Sequence, residues 1–144
     1  LGGSVAGLHV RIGAPPGFQP DPEVVSRAAD LARQSGGSVR VVGEAKEAAV
    51  DADVVATDTW ISMGQESGDR VSILKSFAVT NELLAVADKE AIVLHCLPAY
   101  RGKEIDAAVI DGPQSVVWDE AENRRHAQKA LLAFLDEHAR GVSS

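Results

Sequence analysis

Short runs of Val, Ile and Ala alternate along the chain with longer stretches in which apolar residues recur every three or four positions. Continuous short runs are typical of strands buried on both faces, and the longer periodic stretches are typical of amphipathic helices. Strands are predicted near 8–13, 38–43, 53–58, 91–96 and 115–118, and helices near 22–35, 44–50, 77–87, 103–110 and 120–139. This alternation predicts an α/β fold with an open, mainly parallel sheet flanked by helices in a Rossmann-like three-layer arrangement.

Local signals sharpen two parts of this pattern. Asp21 can cap the helix that begins at Pro22, and Gly36-Gly37 can end it with positive φ angles. The stretch 62–76 has Gly and polar residues without periodicity. A loop of that length in a compact domain is often functional, so both a mobile lid and a solvated surface loop remain open interpretations.

Composition indicates one ordinary domain spanning 1–144. The chain is 45% hydrophobic and 24% charged, and its net charge of −7 without a basic cluster argues against nucleic acid as a partner. It has no apolar run near the roughly 20 residues of a membrane span, which argues against a membrane partner. The single Cys cannot form an internal disulfide, so a cytoplasmic location is predicted.

Two polar clusters follow predicted strands, Asp58 to Gly64 and His95 to Gly102. Ligands of open α/β sheets lie beyond the carboxyl ends of the strands, so the two clusters are predicted to share one site. Asp58 and Cys96 should then be neighbours facing a common hollow. No glycine-rich nucleotide loop and no metal-ligand spacing accompanies them, so neither a metal nor an organic cofactor is expected.

From the residues alone, purely structural interpretations of these positions also remain open. Asp58 can simply end a strand, and a lone Cys such as Cys96 is often an inert buried residue. Arg124 is predicted in the first turn of the last helix, where its charge is unfavourable next to the positive end of the helix dipole. Glu120 and Glu122 could compensate it there.

Both clusters, together with the segment 118–124, resemble the signatures of ornithine carbamoyltransferases. The resemblance implies two α/β domains, an amino-terminal one for carbamoyl phosphate and a carboxy-terminal one for ornithine, of which this chain resembles the second. We therefore expect a fragment that lacks the first strand and part of the first helix of its sheet. The amino-terminal domain would be absent, and the chain alone would be inactive.

The resemblance assigns ornithine binding to three residues. Asp58 would pair with the α-ammonium of ornithine and is a candidate catalytic residue. Ser62 and Met63, inside the predicted loop, would contact the same amino acid, Met63 through its backbone.

The resemblance assigns the carbamoyl phosphate contacts of this domain to Cys96, Leu97 and Arg124. Cys96 would lie beside the reacting carbamoyl group and the δ-amine as a thiol or thiolate, which makes it the second candidate catalytic residue. The peptide between Leu97 and Pro98 would be cis. His95 is expected to have a structural role, because alternation along a strand points it away from Cys96.

The implied reaction transfers the carbamoyl group to the δ-amine of L-ornithine and yields citrulline and phosphate in arginine metabolism. The resemblance also implies a homotrimer or a higher oligomer of trimers. Alternatives are a non-catalytic amino-acid-binding module and a carbamoyltransferase for putrescine or N-acetylornithine. A nicotinamide-dependent enzyme would need a glycine-rich turn ahead of Leu1. The apolar stripe of the last helix, which includes Leu131 and Phe134, is expected to be partly uncovered in such a fragment.

Overall fold

The computed structural model describes residues 1–61 and 69–141. In that part of the chain the strands are β1 (His9–Gly13), β2 (Ser38–Val42), β3 (Val54–Thr57) and β4 (Ile92–His95). The α-helices are α1 (Gly2–Val5), α2 (Pro22–Ser35), α3 (Ala45–Ala49), α4 (Arg70–Leu74), α5 (Asn81–Leu84), α6 (Ala107–Ile110) and α7 (Val117–Ala139). A short 3₁₀ helix at Lys75–Phe77 follows α4, so the second half of the irregular stretch predicted at 62–76 is helical.

The strands form two parallel pairs. β1 pairs with β2, from His9 opposite Ser38 onward, and β3 pairs with β4, from Val54 opposite Ile92 onward. The α/β class and the parallel arrangement flanked by helices are therefore confirmed. Between β1 and β3 lies a cavity of about 470 Å³, lined by residues of both strands and by α3.

The strand predicted at 115–118 is wrong. Ser115 forms only an isolated parallel bridge with Val93, and the chain enters α7 at Val117. Asp119 and Glu120 lie in the first turn of α7, where negative charge is favourable next to the helix dipole. Valine content alone therefore misplaced the boundary between strand and helix.

Two predicted helices, 77–87 and 103–110, are shorter in the structure, where only α5 and α6 are helical. The cause is a pairing between their amino-terminal parts. Val79 forms an isolated parallel bridge with Ile105. The N–H of Val79 donates to the carbonyl of Glu104 at 2.9 Å, and the N–H of Asp106 donates to the carbonyl of Val79 at 3.0 Å. Backbone groups used in this pairing are not available to a helix.

The first long helix follows the prediction residue for residue. Asp21 accepts a hydrogen bond from the N–H of Glu23 at 2.7 Å, and Gly36 ends α2 with φ of 84°. The main core lies where β3, β4 and α5 to α7 meet. Val55, Val79, Leu84, Val93, Ile105, Val109, Ile110 and Val117 form this buried cluster.

The last helix is exposed over most of its length. Leu131, Phe134 and Leu135 are 56%, 63% and 51% exposed, so the predicted uncovered stripe is confirmed. No described helix combines the length and the apolar character required to cross a membrane.

Candidate active site

Asp58 is the first residue after β3. Its Oδ1 accepts a hydrogen bond from the N–H of Thr59 at 2.6 Å. Trp60, two residues after Asp58, is buried. Asp58 itself is exposed. The contact with Thr59 turns the carboxylate back onto its own backbone at the end of the strand.

Cys96 is the first residue after β4. Thr57 lies opposite His95 in the parallel register, so Asp58 and Cys96 leave the two strands side by side. The Cys96 thiol donates a hydrogen bond to Oδ1 of Asp58, with Sγ and Oδ1 2.9 Å apart. The predicted proximity of these side chains is confirmed, although they are thirty-eight positions apart in sequence.

The surroundings of Cys96 keep its thiol protonated. Desolvation by burial, the hydrogen bond to Asp58 and the negative charges of Asp58 and Glu120 together raise the pKa of Cys96 from its ordinary value of 9.0 to about 11. A group with that pKa is protonated at neutral pH, so it acts there as a hydrogen-bond donor and almost never as a thiolate base. Of the two forms that the resemblance left open, the thiol is therefore favoured over the thiolate. Cys96 is exposed over part of its surface, so its desolvation is only partial.

The turn after Cys96 has an unusual backbone. The peptide between Leu97 and Pro98 is cis, as the resemblance implied, and Leu97 has φ of 55°. A positive φ is strained for a side chain of this size and persists only when its surroundings hold it. The Leu97 N–H donates to Nδ1 of His95 at 2.9 Å, which is one such restraint.

His95 is a buried structural residue, as predicted. It is 1% exposed, and its Nε2 lies 3.3 Å from Oε1 of Glu104, which is fully buried. The backbone N–H of His95 donates to Oε2 of Glu120 at 2.8 Å. Glu120 thus ties the first turns of α7 to the carboxyl end of β4.

Arg124 reaches the same strand end from α7. Its Nη1 lies 3.5 Å from the carbonyl oxygen of Cys96, a long hydrogen bond. Because α7 begins at Val117, Arg124 is in the second or third turn, and its predicted first-turn position is wrong. The alternative in which Glu120 or Glu122 compensates Arg124 is not observed among the described residues either, because Glu120 binds the backbone of β4 and Glu122 pairs with Arg125 and His126.

Ser62 and Met63, and with them most of the predicted lid, lie outside the described residues. The cavity between β1 and β3 has Asp58 in its lining, but Cys96 lies beside Asp58 and outside that lining, so the prediction that the two side chains face a common hollow is not confirmed. Within the described ranges, no group of three His, Cys, Asp or Glu side chains is arranged to hold a metal ion.

The sequence did not indicate a role for Glu104 at this site, and it indicated Glu120 only as a charge partner for Arg124. Glu104 stood inside a predicted helix, where a Glu is ordinarily solvated. Nothing in its local pattern indicates burial. The one available signal was its position two residues after the cluster from His95 to Gly102, which carries the resemblance.

A protein family and several known relatives match this chain over nearly its whole length. Residues 1–135 match the family described as aspartate/ornithine carbamoyltransferase, Asp/Orn binding domain. The chain is 58% identical over 142 residues to ornithine carbamoyltransferase of Mycobacterium ulcerans, covering 97% of this chain and 46% of that protein. It is 59% identical over 141 residues to ornithine carbamoyltransferase of Renibacterium salmoninarum, covering 96% of this chain and 45% of that protein.

Solved structures give the same relationship. Ornithine carbamoyltransferase from Pyrococcus furiosus superposes with a TM-score of 0.87 at 46% identity, covering 91% of this chain and 42% of that one. An N-acetyl-L-ornithine transcarbamylase superposes with a TM-score of 0.80 at 31% identity, covering 92% and 42%. The chain spans about half the length of the curated relatives it matches. It belongs to the aspartate/ornithine carbamoyltransferase family and corresponds to that family's Asp/Orn binding domain.

Proposed function

We propose that this chain is the ornithine-binding part of an ornithine carbamoyltransferase. The complete enzyme would transfer the carbamoyl group of carbamoyl phosphate to the δ-amine of L-ornithine, giving L-citrulline and phosphate. The observation that carries the proposal is the 2.9 Å contact between Cys96 Sγ and Asp58 Oδ1 at the ends of two paired strands. Relatives that are 52% to 59% identical to the chain bear the name of this enzyme, which supports the choice of substrate.

Asp58 would bind the α-ammonium of ornithine. Its Oδ1 already accepts hydrogen bonds from Thr59 N–H and from the Cys96 thiol. Oδ2 has no hydrogen bond to any residue in the described ranges, and Asp58 is exposed. A carboxylate oriented by two donors on one oxygen presents the other to an ammonium, and charge-assisted bonds of this kind are strong and directional. Ornithine held by its head group can extend its δ-nitrogen towards Cys96.

The chemistry requires a neutral δ-amine. The amine nitrogen forms a bond to the carbamoyl carbon, the bond from that carbon to the phosphate oxygen breaks, and phosphate leaves with the electron pair. The proton lost from the nitrogen goes to the departing phosphate or to water. Cys96 is a donor in this scheme, because its raised pKa keeps the thiol protonated at neutral pH.

Arg124 and Leu97 would complete the carbamoyl phosphate contacts from this domain. The Arg124 guanidinium lies next to the carbonyl of Cys96 and carries a planar fork of donors that suits carbonyl and phosphate oxygens. Donors aimed at an oxygen that becomes negative in the transition state are among the strongest contributors to such reactions. Ser62 and Met63 stay proposed ornithine contacts on the strength of the resemblance alone.

The wider assignments also rest on the resemblance. We propose a separate amino-terminal domain that binds carbamoyl phosphate, assembly as a homotrimer or oligomer of trimers, and a role in arginine biosynthesis in the cytoplasm. The single cysteine fits a reducing compartment. In the described ranges β1 pairs only with β2 and β3 only with β4, and residues of both β1 and β3 line the cavity, which would suit the additional strand that the resemblance places before Leu1.

A carbamoyltransferase for N-acetylornithine is the second candidate, since a solved structure of such an enzyme is 31% identical. Acetylation turns the α-ammonium into a neutral amide, which would leave the exposed Asp58 carboxylate without a charged partner. The structure therefore favours ornithine. A non-catalytic amino-acid-binding module would bind ornithine at Asp58 without turnover.

The test is a substrate panel with the full-length protein. Citrulline or the corresponding carbamoyl product would be measured from carbamoyl phosphate with ornithine, N-acetylornithine, putrescine and aspartate as acceptors. We expect kcat/KM for ornithine to exceed the others at least about 100-fold, because only ornithine offers both the α-ammonium and the δ-amine. Preference for N-acetylornithine would support the second candidate. Calorimetric binding of ornithine without product would support the binding module.

A further inference from the structure

Burial of the Glu104 side chain is energetically unfavourable unless its contacts compensate it. Its side chain is fully buried, and it lies in the loop between the cis turn and α6. Burying a carboxylate is strongly unfavourable unless hydrogen bonds compensate the lost hydration. The proposed chemistry at Asp58 and Cys96 makes no use of it. Its contacts indicate what it does.

The contacts of Glu104 converge on the turn after Cys96. Its Oε1 accepts a hydrogen bond from the N–H of Tyr100 and lies 3.3 Å from Nε2 of His95. The other ring nitrogen of His95 receives the N–H of Leu97 at 2.9 Å. His95 and Glu104 therefore hold the two ends of the segment Leu97-Pro98-Ala99-Tyr100 from inside the protein.

This chain of contacts fixes the tautomer of His95. A backbone N–H can only donate, so Nδ1 of His95 is the acceptor and carries no proton. The proton of the neutral ring is then on Nε2, where it is donated to Glu104. Glu104 thus orients the ring so that its free lone pair meets Leu97.

The same contacts argue against a proton relay to the thiol. Both nitrogens of His95 are used within the turn, and the Cys96 thiol donates to Asp58 instead. Leu97, by contrast, has the positive φ that requires support, and its neighbour Cys96 carries the candidate catalytic group. What Glu104 controls is therefore the geometry of the backbone at Cys96 and Leu97.

We propose that Glu104, acting through His95, is a positioning residue that holds the Cys96-Leu97 backbone in its productive geometry. This inference rests on the proposed function, because it names residues that serve the same site. Loss of Glu104 would free the His95 ring to rotate, and Leu97 would then relax out of its strained conformation. The reacting groups would be displaced while the overall fold is retained.

Glu104 substitutions in the full-length protein provide the kinetic test. In Glu104→Ala both hydrogen bonds are lost, and we expect kcat to fall about 100-fold with a smaller change in KM for ornithine. Glu104→Gln keeps an oxygen at the position of Oε1 and should stay within about fivefold of wild type. The matched control is Ile105→Val, which changes the adjacent, fully buried side chain outside this network and should leave kcat unchanged.

Two His95 variants test the two contacts of the ring separately. They also test the proposal if Glu104→Ala does not fold. In His95→Asn the side-chain oxygen can replace Nδ1 and accept from Leu97, whereas in His95→Gln the amide can replace Nε2 and reach only Glu104. We expect the Gln variant to lose about tenfold more kcat than the Asn variant. Equal losses in the two variants would overturn the proposal, as would wild-type kcat in folded Glu104→Ala.

Two further readouts distinguish positioning from other roles. The pH dependence of kcat in Glu104→Gln should keep the wild-type shape, because a proton relay through the carboxylate would alter it. Hydrogen exchange of the Leu97 amide, which needs no activity, should be faster in Glu104→Ala than in wild type and unchanged in Ile105→Val. Unaltered exchange in Glu104→Ala would contradict the proposal, whereas an inactive wild-type protein would contradict only the proposed function.

Discussion

The protonation of Cys96 can be tested by its reactivity. A pKa of about 11 in place of 9.0 leaves about one thiol in 3,000 ionised at pH 7.5, against about one in 30 for an ordinary cysteine. Alkylation by iodoacetamide proceeds through the thiolate. Cys96 should therefore react roughly 100-fold more slowly than an unperturbed thiol, and its rate should still rise with pH above 9.

Asp58→Asn isolates the part of this effect that comes from the carboxylate. Asn removes the negative charge and keeps an oxygen that can accept from the thiol, while the desolvation of Cys96 persists. We expect about tenfold faster alkylation of Cys96 in this variant at pH 7.5, because the partial desolvation of the thiol, the largest cause of its raised pKa, remains. Glu120→Gln is the matched control, since it removes the weaker of the two charges and should give a smaller increase.

The assay is iodoacetamide labelling of the ligand-free, full-length protein between pH 7 and 11, with the peptide that contains Cys96 quantified by mass spectrometry. A wild-type rate that reaches half its maximum near pH 9 would refute the assignment of Cys96 as a protonated donor. Equal rates in wild type and Asp58→Asn would refute the attribution to the carboxylate.

Three other outcomes are expected. Cys96→Ala should lower kcat/KM for ornithine about tenfold in the full-length enzyme, because one hydrogen-bond donor is lost. Gly37→Ala should destabilise the domain by about 1 to 3 kcal/mol in urea unfolding, because the added Cβ would clash with the backbone carbonyl of Leu8. In the control Gly43→Ala the added Cβ meets nothing within 4 Å, so the free energy of unfolding should not change in this way. Asp111→Asn should lower Tm at pH 7 but not at about pH 2, because the hydrogen bond from Arg101 lowers the pKa of Asp111 and its stabilisation is lost as pH falls through that value.

Hydrophobic periodicity predicted the elements whose signals are local. Helix α2 agrees in both boundaries because its cap at Asp21 and its terminating Gly36 are neighbours of the helix in sequence. Four of the five predicted strands agree within one residue at each end, because their apolar runs are also local in sequence. At 115–118 the local signal was misleading, because burial of Val117 is achieved by a helix packed on β4.

The elements that failed are those fixed by contacts between distant segments. Val79 and Ile105 pair across the chain, and this pairing shortens two predicted helices in a way that neither segment reveals alone. The proximity of Asp58 and Cys96 was predictable because parallel strands end at one edge of a sheet. The buried Glu104 was not, because its role appears only when the turn at Leu97 is folded back over His95.

Steady-state kinetics of Asp58→Asn in the full-length protein would decide whether the carboxylate beside Cys96 binds the acceptor. Removing a charge-assisted pair to the α-ammonium should reduce kcat/KM for ornithine about 100-fold and leave the KM for carbamoyl phosphate nearly unchanged. Wild-type kcat/KM for ornithine, or a loss that falls mainly on carbamoyl phosphate, would contradict the assignment of Asp58.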